Sequence, residues 1–202
     1  SLVSRNYSRY FWTMVGPKLK KLKQEIDNYI GLPYMTNIIR NGKIIKERVL
    51  GGKGHWKDIK KETKKIAASQ NLNLKKLTPK QLYQFQKKHK IGIDCSGLAS
   101  QLLIFYGHIL GKKINLNPRR TSADMLTSAP LSIKITDYNQ IQTGDLVRQK
   151  NGRHLLFIIE KTGKNISYVD SSFWGRGVHY GQFDITDPTF DNQGIYRLLL
   201  LN

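Results

Sequence analysis

The chain has 202 residues, 39% apolar and 24% charged, a globular composition long enough to bury a core without covalent staples. Its one cysteine, Cys95, excludes an intrachain disulfide and any multi-cysteine zinc site, and no apolar run approaches the roughly 20 residues of a membrane-spanning helix. Lys and Arg outnumber Asp and Glu by 34 to 14, and the surplus is uneven: residues 1–90 hold 22 basic and 5 acidic side chains. Such a half calls for an anionic partner (nucleic acid, teichoic acid, anionic lipid or peptidoglycan), unless its lysines only solvate helix faces.

In chain order, Ser1 to Met14 lacks the basic start and apolar stretch of a secretory signal, so no signal peptide is expected in this chain. Pro17 can open a helix. Leu19, Leu22, Ile26 and Ile30 then recur every three or four residues as one apolar face, closed by Gly31 and Pro33. Residues 37–56 read as a turn-rich loop or short hairpin around Asn41-Gly42, with a flexible Gly51-Gly52-Lys53-Gly54. A basic helix is predicted over 57–69 and another over 79–89, where Thr78-Pro79-Lys80-Gln81 combines a capping box with proline at the first helical position. Leu98, Leu102, Phe105, Tyr106 and Ile109 predict a helix from Cys95 to Leu110, stopped by Gly111. Residues 115–130 read as a polar loop with one helical turn near Ala123–Leu126. From Thr143 onward the pattern shortens. Asp145–Gln149, His154–Glu160, Asn165–Asp170, Gly177–Phe183 and Ile195–Leu201 read as antiparallel strands. Helices first and strands later make an α+β domain.

Three residues in this frame carry chemistry. Cys95 stands where a glycine-bounded loop meets a helix, whose first N–H groups lack internal partners; they favour thiolate and can receive a developing oxyanion. A thiol so placed should react with iodoacetamide at pH 6. His154 opens an apolar strand and can serve as proton acceptor. Asp170 follows 16 residues later across Thr162-Gly163. A hairpin centred on Thr162 sets it opposite His154, and one centred half a residue later sets Ser171 there. Singly, each has an ordinary reading: a small buried apolar side chain, a strand-edge histidine, a solvated strand-end aspartate. Together they have the layout of a cysteine hydrolase.

The word Gly92-Ile93-Asp94-Cys95-Ser96-Gly97-Leu98 resembles the D-C-S-G-L signature of the NlpC-type cell-wall cysteine peptidases. Further words resemble that family in order: Tyr29-Ile30-Gly31-Leu32-Pro33-Tyr34 upstream, Asn117 to Asp124 as its P-R-T-S loop, and Gln142 to Val147 as its P-G-D-L-V strand. Gly152-Arg153-His154, Tyr168 to Ser172 and Gly194 to Leu198 fall where its histidine strand, third polar residue and closing strand belong.

The resemblance implies a single domain over 1–202 with a papain-like core, helices packed on an antiparallel sheet. It implies amide hydrolysis through a thioester, at the γ-D-glutamyl–diamino-acid bond of peptidoglycan stems, without metal or cofactor. Cys95 would be the nucleophile, His154 the base and Asp170 the orienting group. Tyr34 would lie beside the nucleophile, and Asp94 and Ser96 would help hold the substrate's amino end. Trp56 would be a substrate contact, since the family's equivalent loop adjoins the site. A secreted or cell-envelope location follows from the same resemblance.

The sequence departs from the pattern in three places. The family puts D-C-S-G-L shortly after P-Y, whereas Asp94 follows Tyr34 by 60 positions, so residues 35–91 contain a basic, mostly helical insertion. Leu156, two positions after the base, is bulky where the family tends to be small, which bears on substrate fit. Asp170 stands where His, Asn or Gln is commoner; a carboxylate accepts a ring N–H equally well.

Two other functions are compatible with these residues. One is a secreted toxin or effector hydrolysing another amide or an ester. The other is a basic module binding an anionic wall polymer through the insertion. No base-reading motif is present, so sequence-specific nucleic-acid binding is not expected. His55, His89, His108 and His179 lack metal-ligand spacing, and Gly51 to Gly54 lacks that of a phosphate loop. Phe173, Trp174 and Tyr180 could line a cleft or fill a core.

Overall fold

The computed structural model describes residues 16–41, 43–175 and 177–202. The expectation for Ser1 to Met14 lies outside them. Helix α1 (Pro17–Asp27) starts on its proline and buries Leu22 and Ile26. The expected apolar face does not run on to Ile30. The helix ends at Asp27, so the helical period lapses, and the fully buried side chain is Tyr29 while Ile30 faces outward.

The chain then runs beside Ile93. Tyr34 and Ile93 form a parallel bridge, Ile93 N–H donates to Pro33 O at 3.0 Å, and Met35 N–H donates to Ile93 O at 3.3 Å. Only glycine fits at position 92, where a Cβ would lie 2.1 Å from Pro33 O. The segment between therefore leaves and returns at one point, which lets it be long without disturbing its surroundings. It holds an exposed hairpin of β1 (Ile38–Arg40) and β2 (Lys43–Lys46), a 3-10 turn Val49–Gly52, α2 (Trp56–Ser69), a 3-10 turn Leu74–Lys76 and α3 (Pro79–Lys88). Thr78 and Gln81 close the capping box on α3. Helix α2 buries Ile59 in the main core, so the 35–91 segment shares that core with α1, α4 and the sheet.

Helix α4 (Cys95–Ile109) follows, then one helical turn, α5 (Ala123–Leu126). The sheet comprises β3 (Ser132–Ile135), β4 (Leu146–Gln149), β5 (His154–Thr162), β6 (Asn165–Ser172), β7 (Gly177–Asp184) and β8 (Ile195–Leu198). Its order is β3-β8-β4-β5-β6-β7 with every pairing antiparallel, and α4 lies against β5 and β6. The architecture is mixed helix and sheet, α+β. Strand β3 was not expected from the sequence, and the closing strand stops at Leu198, where a 3-10 turn Leu199–Leu201 begins.

Alternation along β5 divides its side chains between two cores. Leu155, Phe157 and Ile159 join α4, α1 and Ile59 on one side. Leu156 and Ile158 join Ile135, Val147, Ile166, Phe183 and Ile195 on the other. Leu156 is thus a core residue of the face away from α4 and does not line the cleft at Cys95.

The β5–β6 hairpin adopts neither expected register. At its tip Thr162 pairs with Asn165. An irregularity between Ile158 and Glu160 then shifts the ladder, so Phe157 pairs with Val169. Carried on, that register sets Ser172 across from His154 and makes Asp170 its diagonal neighbour on the same face. The recorded pairing ends at Phe157 and Val169. Beyond it the segment before α4 attaches, Ser171 Oγ donating to Ile93 O at 2.7 Å.

Candidate active site

Asp94 is the N-cap of α4. Its Oδ1 accepts from Gly97 N–H at 2.7 Å, and its carbonyl accepts from Leu98 N–H. Of the first-turn donors, Cys95 N–H is left without a backbone or side-chain acceptor among the described residues, and Ser96 N–H is turned to the Cys95 sulfur. Cys95 opens the helix and lines a cleft of about 800 Å³. Its sulfur is faced by the backbone N–H groups of Leu155 and Ser96, so the thiol lies against the residue next to His154.

The helix N-terminus does not by itself make a thiolate here. Burial pushes the Cys95 thiol up to about 12, and the Asp94 carboxylate adds to the shift; Leu155 N–H, the Lys53 ammonium and Ser96 N–H pull the other way without overcoming it. This burial favours the protonated thiol and so runs against the expected ready alkylation at pH 6.

His154 is buried, with Nε2 2.9 Å from Asp170 Oδ2. Because the carboxylate only accepts, Nε2 carries a proton, and Nδ1 is the nitrogen left to accept one. Asp170 Oδ1 lies 3.2 Å from His179 Nδ1 without hydrogen-bond geometry. That ring nitrogen donates instead to Gly177 O. Tyr34 also lines the cleft. Burial, then the charges of Cys95 and Asp94, raise its phenol far above its ordinary value, so it stays a neutral donor.

The residue that sequence reasoning missed is Lys53. Its ammonium donates to Asp94 Oδ1 at 2.8 Å, to Thr121 O at 3.2 Å and to Ser96 Oγ. Asp94 and Ser96 do flank Cys95 and reach the cleft, but their oxygens are engaged by a cation from the 35–91 segment. The one available signal, a lone lysine among three glycines, does not specify a partner 41 positions away.

Trp56 is not at this site. Its indole N–H donates to Glu25 Oε1 at 2.8 Å, its ring packs on His55, and it lines a separate cavity between α2, α3 and the segment that follows α1. Phe173 and Trp174 are largely exposed and fill no core, and Tyr180 is bound through its hydroxyl to Asp27. Among the described residues, no three His, Cys, Asp or Glu side chains are grouped to hold a metal ion, and no helix is long and apolar enough to cross a membrane.

Compared with protein-family models, with curated proteins and with solved structures, the chain matches none.

Proposed function

We propose that the chain is a cysteine hydrolase with an NlpC-type, papain-like core that cleaves an amide bond of peptidoglycan stem peptides. The observation that carries this reading is the thiol at the start of α4, set against Leu155 N–H beside a His154 whose Nε2 is held by Asp170. In the proposed cycle His154 Nδ1 takes the thiol proton as sulfur attacks the carbonyl carbon. The carbonyl electron pair moves onto oxygen, where Cys95 N–H, the first-turn donor left without an acceptor among the described residues, receives it. On collapse the C–N bond breaks and the proton passes from His154 to the leaving amine. Water then loses a proton to His154, attacks the thioester and releases the acid, and the proton returns to sulfur.

No cofactor enters this chemistry. Each step asks of a side chain only proton transfer, nucleophilic attack or hydrogen bonding. The setting proposed is secreted or cell-envelope, where stem peptides are found. The insertion's lysines on α2 and α3 are largely exposed, which supports contact with an anionic wall polymer as an accessory role.

The test is digestion of purified muropeptides, with products read by mass spectrometry. Cleavage at the γ-D-glutamyl bond by the native chain and none by Cys95→Ala is expected. Intact muropeptides across several stem types would reject the reading.

A further inference from the structure

We infer that Lys53 permanently fills the acidic pocket beside the nucleophile, so that the cleft takes an amide substrate bearing carboxylates and no free ammonium next to the scissile bond. This rests on the hydrolase reading above and specifies its substrate class.

An ammonium has three donors, and Lys53 has an acceptor for each: Asp94 Oδ1, Ser96 Oγ and Thr121 O. The pair is well shielded, with side-chain exposures of 14% for Lys53 and 6% for Asp94. The backbone fixes it as firmly. Leu50, Gly51 and Gly52 all take positive φ, turning the loop onto the start of α4. Gly52 O then accepts from Asp94 N–H at 2.8 Å, and Lys53 O accepts from Gln101 Nε2 at 2.9 Å. A substrate ammonium could reach Asp94 only by expelling Lys53, leaving that cation without its three partners. A substrate whose amine is acylated has no such requirement.

The other charges of the cleft favour anions. Arg119, Arg120 and Arg153 line it, are exposed, and have no carboxylate partner among the described residues. Against them stands one unpaired carboxylate, Glu47, since Asp94 is held by Lys53 and Asp124 by Arg148. Guanidinium pairs well with carboxylate, so the acidic groups of the substrate are what this wall recognises.

The experiment is calorimetric binding to the full chain carrying Cys95→Ala, which separates recognition from turnover. The ligands are γ-D-glutamyl-L-lysine and its N-acetyl derivative, equal in carboxylates and different in the α-ammonium. The N-acetyl form should bind at least about tenfold more tightly. Adding Lys53→Met should move the ratio by a similar factor towards the free amine, because Asp94 is then open to it. Adding Lys53→Arg, which keeps a cation, should hold the original preference, and both variants are checked for a native melting transition. Adding Arg153→Gln should weaken the two ligands alike. Tighter binding of the free amine to the Cys95→Ala chain, an unchanged ratio in a folded Lys53→Met chain, or no binding of either ligand would overturn the assignment. Failure of the hydrolase reading is distinct: the native chain would leave muropeptides intact while the binding preference stood.

Discussion

Asp170, on β6 beside the strand that carries His154, holds its Oδ2 2.9 Å from Nε2, and both side chains are buried. The carboxylate fixes which nitrogen is protonated and, in the proposed cycle, stabilises the imidazolium that His154 becomes on taking the thiol proton. Orientation needs only an acceptor, whereas charge stabilisation needs the carboxylate. Asp170→Asn keeps an acceptor of the same shape, so its loss in kcat/KM should stay within about tenfold. Asp170→Leu removes the acceptor and should lose roughly 10²- to 10⁴-fold, the usual worth of a positioned acid–base group. Hydrolysis rates of the two variants, each checked by melting, give the comparison. Equal losses would mean that holding the ring is not the part Asp170 plays.

The Cys95 thiol offers a test that does not depend on substrate. Its folded value, up to about 12, lies above the 9.0 of an ordinary thiol. Below pH 9 both folded and unfolded thiols are protonated and contribute no difference. Between 9 and 12 the unfolded thiol ionises while the folded one does not, so stability falls as pH rises through that window. Native chain should therefore lose stability relative to Cys95→Ser in urea titrations taken from pH 8 to pH 11. Iodoacetamide should label Cys95 at pH 6 far more slowly than free cysteine. Rapid labelling there would show a thiolate at rest, and with it a stronger pull from His154 than the buried site implies.

Local signals carried much of the fold. Pro17, the Thr78/Gln81 capping box and the apolar period after Cys95 each act within one helix, and each helix begins where those residues direct. The strand register was not legible, because the irregularity near Ile159 moves the ladder after the turn has set it. Strand β3 escaped because its pairing with β8 joins segments about 60 residues apart, and four residues carry little periodicity of their own. At the site, the place of Cys95 at the start of α4 and the meeting of His154 with Asp170 were legible through topology. Lys53 and Trp56 were not, since both answers depend on which remote carboxylate each side chain meets: Asp94 for the lysine and Glu25 for the indole.

Leu156 illustrates how alternation along one strand turns a residue away from a site that lies two positions off in sequence. It is 2% exposed and packs with Val147, Ile166 and Phe183 on the face away from α4. Leu156→Ala should cost about 2–5 kcal/mol through the cavity left behind. The folded fraction should keep its kcat/KM, because no cleft contact is lost. A changed substrate preference at unchanged stability would place the side chain in the cleft after all. Urea denaturation and steady-state rates on the same preparation measure both quantities.

Gly97 tests whether the 35–91 segment is seated on helix α4. A Cβ built there would lie 2.4 Å from Gly52 O and 3.1 Å from Lys53 Cα, both backbone atoms with little freedom to yield. Alanine normally favours a helix over glycine, by roughly 1 kcal/mol. At this position the overlap should reverse that sign and leave Gly97→Ala less stable by about 1–3 kcal/mol, the usual cost of overpacking. Gly107→Ala, on the same helix, meets chiefly the side chain of Ile114, and it reports what crowding alone does away from the insertion. The loop displaced by Gly97→Ala carries Lys53, so this variant should also weaken discrimination between free and acetylated amines, whereas Gly107→Ala should not. A Gly97→Ala chain that gains stability and keeps its discrimination would show that the loop stands clear of α4, and Asp94 would then be open to cations from solution.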